Sequence, residues 1–317
     1  MSFFKPLFVI MYVSSFMMVM GGDSWFLLWM GLEVNMISFI ILVYGKSIYE
    51  IEVCMKYFFI QGIGSAMLLM MLILSGKFLS ECVILILSYK MGAGPFFFWF
   101  PSFCEGVSWA SCILVMSLQK VIPLLFTGLF LCSFMWIMIF MSMFVGALGC
   151  FNESKLKKFM AFSSIHYVGW LFLCIKTNLY MWMVYLFGYM FMLVGILMSL
   201  RSDESISVKD ILKMKSPGLF IFSMLNMGGM PPMLGFFLKW WVFLGILGTK
   251  IEVMWFIILL AVFMFYVYMR LVYPVLVNYI FMLNYSSYKM NSMSENIREW
   301  MYMVFAIFSP ILGWSLL

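Results

Sequence analysis

The chain has 317 residues, of which 66% are hydrophobic and only 10% charged, and its mean hydropathy is +1.09. That excludes an ordinary water-soluble domain, in which about a quarter of residues are charged. The formal charge of +6 lies largely in loops, where it sets membrane orientation and attracts anionic lipid, and it makes no case for a nucleic-acid partner.

Apolar stretches long enough for spans of about 20 residues recur from end to end. They are continuous rather than alternating, which predicts an all-α polytopic membrane protein, one transmembrane domain over 1–317, and not a β-barrel. About eleven spans are expected. The first two run over about Phe3–Met20 and Ser24–Tyr44, joined by the tight Gly21-Gly22-Asp23 turn. Lys5 and the run after it also fit a signal peptide, but no small-residue cleavage site follows and a second span begins almost at once. The third span covers Cys54–Ser75, and the fourth, about Phe78–Phe100, is interrupted near 90–95. The fifth runs from Val107 past Lys120 and Pro123 to Thr127, and the sixth over Leu129–Cys150.

A basic loop at 151–158 leads into the seventh span, which ends near Lys176, and the eighth occupies Leu179–Leu200. A polar connection follows at 201–216. The ninth span, Pro217–Leu247, is too long for one straight crossing and is broken at 228–232. The tenth covers Val253–Leu276, and a hydrophilic loop at 284–298 precedes the last, Trp300–Leu317. On this count one side of the membrane carries Lys46, Lys155, Lys157, Lys158, Arg201, Lys209, Lys213, Lys215, Lys289 and Arg298, the other only Lys77, Lys176 and Lys250. The positive-inside tendency then places the amino terminus on the protein-synthesising side and the carboxyl terminus across the membrane.

Four ionisable residues fall well inside spans: Glu33, Lys90, Lys120 and Lys239. A charge at the bilayer midplane costs several kcal/mol, roughly 3 on the mildest scales, so each must face a protein interior or a hydrated cavity. Around them lie the helix breakers Gly92, Gly94, Pro95, Pro123, Gly228, Gly229, Pro231 and Pro232. Such breaks free backbone groups that need non-lipid partners, and Gly/Pro-interrupted apolar segments mark discontinuous helices in transport proteins. Lysine suits proton exchange because burial moves its proton affinity readily, whereas arginine stays protonated. An ion pair between Glu33 and Lys90 would hold the lysine charged. Lys56, near a span end, and Arg270 fit snorkelling or bracing roles.

Gln119, Ser163, Ser164 and Asn35 are candidate partners for water or backbone. His166, the only histidine, suits either a proton path or an ordinary hydrogen-bonded core position. The seven cysteines, Cys54, Cys82, Cys104, Cys112, Cys132, Cys150 and Cys174, show no paired framework, and no metal site follows from them. No GxGxxG, Walker lysine loop or CxxC cluster is present, so no cofactor is expected in this chain.

At Gly31-Leu-Glu33, Lys56-Tyr-Phe-Phe-Ile-Gln61, Lys90-Met-Gly-Ala-Gly-Pro-Phe-Phe-Phe-Trp-Phe-Pro101, Gln119-Lys-Val-Ile-Pro123, Ala161-Phe-Ser-Ser-Ile165 and Gly228-Gly-Met-Pro-Pro-Met-Leu-Gly-Phe-Phe-Leu-Lys239 the chain resembles the NADH dehydrogenase subunit 2 family of animal mitochondria. The resemblance implies an antiporter-like, proton-translocating subunit in the membrane arm of respiratory complex I, in the mitochondrial inner membrane, with the amino terminus in the matrix and the carboxyl terminus in the intermembrane space. It places NADH, FMN, iron–sulfur clusters and ubiquinone in partner subunits. Its neighbours would be other membrane-arm subunits, the matrix arm indirectly, and phospholipids including cardiolipin. It assigns Glu33 and Lys90 to a coupling pair, Lys120 to the centre of a relay and Lys239 to its terminal part. This chain departs from the family at Phe97, Ser102 and Tyr167, where a histidine, an acid and a histidine are usual. His166 sits one place before the customary position, which turns a helical side chain by about 100°. The other function classes compatible with buried lysines at broken helices are a stand-alone cation/proton antiporter and a structural scaffold.

Overall fold

The computed structural model describes residues 5–45, 47–74, 76, 78–177, 181–200, 216–247, 251–285 and 299–307. The regular elements among them are helices, as the apolar runs predict: α1 (Lys5–Met20), α2 (Trp25–Val43), α3 (Ile48–Leu74), α4 (Leu79–Met91), α5 (Trp99–Gly106), α6 (Trp109–Met116), α7 (Val121–Leu129), α8 (Met135–Asn152), α9 (Leu156–Thr177), α10 (Met181–Ser199), α11 (Pro217–Gly228), α12 (Leu234–Ile246) and α13 (Ile251–Tyr285). A further helical stretch occupies 299–307. Most of the polar connection at 201–216, most of the loop at 284–298 and the last span beyond residue 307 lie outside the described residues.

Among the described residues seven helices are long and apolar enough to cross a membrane, or eight if one bent pair is counted as a span. The helices α1, α11 and α12 are apolar but shorter. The expected eleven crossings are therefore not reached by length and composition alone.

Three interruptions organise the fold. After α4 the chain makes a short 3-10 turn at Gly94–Phe96, opened by Pro95, and re-enters a helix at α5, bent by 93°. The second interruption falls in the fifth span, which carries the helix breaker Pro123. Its helix stops at Met116, passes through a 3-10 turn at Leu118–Lys120 and resumes as α7. Pro123 is the cause: it has no N–H to donate, and its ring crowds the carbonyl four residues earlier, at Gln119, so the disruption falls one turn before the proline. The third parts α11 from α12 at 229–233, where the Pro231–Pro232 peptide bond is cis.

The chain divides into two compact units, residues 1–146 with 160–172 and residues 147–159 with 173–317. In the first, α1 packs on α2, α2 on α3, and α3 on α4 and α5, while α7 lies against α4. Within it, Ile165, Val168, Trp170, Leu171 and Phe172 are completely buried. The helix that carries them, α9, is the least apolar of the candidate spans and the most buried. That inversion is the membrane pattern, in which polar side chains turn inward and lipid receives the apolar ones. In the second unit, α11 packs along α10 and α13, and α12 lies on α10.

Close helix approach in the first unit depends on small residues. A Cβ on Gly146 of α8 would sit 2.5 Å from the His166 backbone nitrogen and 2.8 Å from its Cα. Backbone cannot yield as a side chain can, so Gly146→Ala is expected to push α8 from α9 and cost about 1–3 kcal/mol. A lower thermal unfolding temperature of the solubilised protein would register it, and an unchanged temperature would refute it.

Candidate functional site

Each predicted lysine is buried, and each sits at one of the three interruptions: Lys90 in the last turn of α4, Lys120 at the end of the turn before α7, and Lys239 just after the α11–α12 break. The breaks are built so that the carbonyls they free find donors. Gly92 adopts a left-handed conformation (φ +65°) that side chains rarely tolerate, and it closes α4 by donating to Tyr89 O at 3.1 Å. Ala93 N reaches Ser88 O at 2.9 Å and Trp99 Nε1 donates to Tyr89 O at 3.1 Å. Gln61 Nε2, from α3, donates to Lys90 O at 2.8 Å.

Helix α3 is the bed on which Lys90 lies. Tyr57, Gln61, Gly64 and Leu68, at helical spacing, form its buried face. A Cβ on Gly64 would approach Lys90 Cγ to 2.9 Å and Cε to 3.1 Å, so the lysine stem crosses α3 where there is no side chain. Lys90 and Lys120 line one small cavity together with Asn35, Gln61, Gln119 and Phe100. Its volume is about 20 Å³. A single water needs roughly 10–15 Å³ by the same measure, so the space suits one water between polar groups. Gln119 Nε2 is buried without a hydrogen-bond partner, and its amide borders that space.

Lys120 donates to Ser164 O at 3.0 Å and lies 5.1 Å from the centre of the Phe100 ring. Ser164 thus contributes its carbonyl, because its hydroxyl turns back to Ala161 O at 2.7 Å, as that of Ser163 does to Met160 O at 2.8 Å. Lys239 reaches back across its break, donating to Gly228 O at 2.7 Å and contacting Met227 O at 3.5 Å. These carbonyls end α11, where the helix dipole is negative, so the ammonium caps the terminus. Gly229, left-handed at φ +84°, leaves the room: a Cβ there would be 3.0 Å from Lys239 Nζ. Lys239 also borders a mostly apolar cleft of about 290 Å³ between α12 and α13, with Phe236, Trp240, Val262 and Phe265.

Glu33 is half-buried on α2 and is the acid whose charge bears on Lys90, but the expected ion pair is not closed: no Glu33–Lys90 contact falls within 4.0 Å. Lys56 instead pairs with Glu52 at 2.6 Å on an exposed face of α3, and Arg270 donates to Phe151 O at 3.2 Å near the end of α8, both in line with bracing. His166 has both ring nitrogens engaged. Trp170 Nε1 donates to Nε2 at 3.1 Å, so Nδ1 carries the proton and donates to Met143 O, also at 3.1 Å. The Phe97 ring stacks on Phe98 at 4.1 Å and faces Phe162 at 6.0 Å. Tyr167 is buried, and the Ser102 hydroxyl turns back to Trp99 O at 2.8 Å. Among the described residues no cluster of three or more His, Cys, Asp or Glu comes together as a metal site.

In sequence and fold the chain matches a known protein class. Residues 74–265 match the family described as NADH:quinone oxidoreductase/Mrp antiporter, transmembrane region, and the chain belongs to this family of antiporter-like membrane subunits. Its relatives are more particular. NADH-ubiquinone oxidoreductase chain 2 of Anopheles gambiae is 34% identical over 299 residues, covering 88% of this chain and 86% of that protein. The same chain of Aedes aegypti is 33% identical over 313 residues, covering 92% and 90%. In fold the chain is similar to one in respiratory complex I from Thermus thermophilus, with a TM-score of 0.78 at 17% identity, covering 98% of this chain and 78% of that one. It is also similar to one in the Mrp complex of Dietzia sp., with a TM-score of 0.72 at 14% identity, covering 84% and 59%.

The α3 bed was not read as part of the site from sequence, although a glutamine in mid-span is itself a signal of an inward-facing partner. Gln61→Leu removes the donor to Lys90 O and is expected to cost about 1–3 kcal/mol through an unsatisfied buried carbonyl. Gly64→Ala should displace the Lys90 ammonium within the cavity. A thermal melt checks the first and a high-resolution structure of the variant checks the second; an unshifted Lys90 would contradict the bed.

Proposed function

We infer that this chain is a proton-translocating membrane-arm subunit of respiratory complex I, converting the energy of NADH oxidation by ubiquinone in partner subunits into proton movement. The observation that carries this is the sharing of one water-sized cavity by Lys90 and Lys120, each at a helix interruption. Two ammonium groups facing one space repel each other at short range. A proton leaving one lysine relieves the other, and a single water with Gln119 beside it provides the link. Lys239 continues the relay at the third break, held by the carbonyls that end α11. Glu33 acts as the movable counter-charge of Lys90: close enough to bear on it and not locked to it, it can bias the lysine as the helices shift.

On this reading the chain works as one transmembrane domain, crossing eleven times, with α1, the α4–α5 pair, the α11–α12 pair and the carboxyl-terminal stretch completing the count. It lies in the mitochondrial inner membrane with the amino terminus in the matrix, the basic loops beside it and the carboxyl terminus in the intermembrane space. Other membrane-arm subunits are its direct partners, the matrix arm an indirect one, and cardiolipin a lipid suited to its basic loops. NADH, FMN, iron–sulfur clusters and ubiquinone belong to the partner subunits. The identity of 34% to an NADH-ubiquinone oxidoreductase chain favours this over a stand-alone antiporter.

Lys120→Met in the intact complex, reconstituted into vesicles, is expected to leave assembly in place and to lower the protons moved per electron pair. Lys120→Arg should fail to restore them, because arginine holds its proton. Unchanged pumping in Lys120→Met would refute the relay, and loss of assembly alone would favour a scaffold.

A further inference from the structure

Two buried polar groups that the relay does not use stand at the α11–α12 break and on the helical stretch at 299–307. Asn226, completely buried in the last turn of α11, accepts a hydrogen bond at Oδ1 from Gly235 N, at the start of α12, at 2.8 Å. One side chain therefore spans the break, its backbone in the helix before and its acceptor on the helix after. There is no space between them: a Cβ on Gly235 would run into the carbonyl oxygen of Asn226. The Nδ2 of the same amide is buried and has no hydrogen-bond partner, and the same is true of the Tyr302 hydroxyl. The Tyr302 ring lies 6.3 Å from that of Phe222, one turn before Asn226 on α11, which puts the hydroxyl and the amide within electrostatic reach. Tyr302 gets there by lying on Gly195 of α10, where a Cβ would overlap its ring and oxygen, and by stacking on Phe191 at 4.6 Å and 16°.

Two buried groups, one with N–H to give and one with a lone pair to receive, are costly to leave apart and natural to join. The carbonyls that receive Lys239 belong to Met227 and Gly228, the two residues directly after Asn226. We propose that Tyr302 is a positioning residue for Lys239: its hydroxyl accepts from Asn226 Nδ2, fixes the amide that clips the two half-helices together, and so holds the broken turn in the form whose carbonyls take the ammonium. With the amide engaged at both ends, the break cannot reopen by rotation of Asn226 alone. The proposal rests on the relay reading of Lys239 given above.

The test uses the intact complex in vesicles, with Tyr302→Phe, Lys239→Met and the two combined, and reads protons per electron pair, the amount of assembled complex and the pH profile of pumping. Tyr302→Phe keeps the ring, its stack on Phe191 and its fit over Gly195, so the expected result is wild-type assembly. Pumping should lose part of what Lys239→Met removes and show a displaced pH profile. The double variant should lose no more than Lys239→Met alone, because residues acting through one another are not additive. If Lys239→Met lowers pumping while Tyr302→Phe matches wild type, or if the two losses add, the proposal is overturned and the relay stands. If Lys239→Met leaves pumping unchanged, the relay reading of that lysine fails and the proposal with it. If Tyr302→Phe lowers assembly and total pumping in proportion, with the proton-to-electron ratio unchanged, the hydroxyl is structural only and the proposal is overturned.

Discussion

A backbone carbonyl left without a donor in hydrocarbon and an ammonium left without acceptors are each untenable, and this protein solves the two problems against each other. Helix interruptions would be unaffordable if their freed carbonyls faced lipid, so non-helical backbone survives at membrane depth only inside protein or beside a cavity. Here Gly228 O and Met227 O, at the end of α11, receive Lys239, whereas Lys120 donates to Ser164 O inside the continuous helix α9. At Lys90 the freed carbonyl takes the Gln61 amide instead, leaving the lysine's own ammonium at the cavity it shares with Lys120. At the α11–α12 break the freed carbonyls and the charge satisfy each other, and at the other two interruptions neighbouring helices supply the partners.

That dependence explains why the site was partly legible in the sequence. Lysines embedded in apolar runs and the neighbouring Gly92, Gly94, Pro95, Gly228, Gly229, Pro231 and Pro232 report on local cost, and local cost can be read residue by residue. The α4–α5 and α11–α12 interruptions fall where those residues stand. The interruption before Lys120 was displaced from its cause by one turn, because a proline disrupts the bond behind it rather than its own position. Partners are a different matter. Nothing in the spacing of Gln61 or Gly64 says that Lys90 lies across them, and nothing near Asn226 announces Tyr302, more than seventy positions along the chain, as its neighbour. The Glu33–Lys90 pair shows the reverse limit: opposite charges in the second and fourth spans suggested closure, whereas the structure holds them in electrostatic reach without contact.

The sole histidine illustrates how a residue's chemistry is set by its surroundings rather than by its type. With Nε2 occupied by the Trp170 indole and Nδ1 by Met143 O, His166 behaves as a brace between α8 and α9 and holds one tautomer. At the neighbouring Phe97 the stack with Phe98 makes the surroundings apolar.

The small volume between Lys90 and Lys120 carries a meaning for which ion this chain can accept. The space holds about one water, and the two lysines that flank it, when charged, would repel an alkali-metal ion. A proton alone needs no such room, since it moves by exchange of bonds and not by transit of a body.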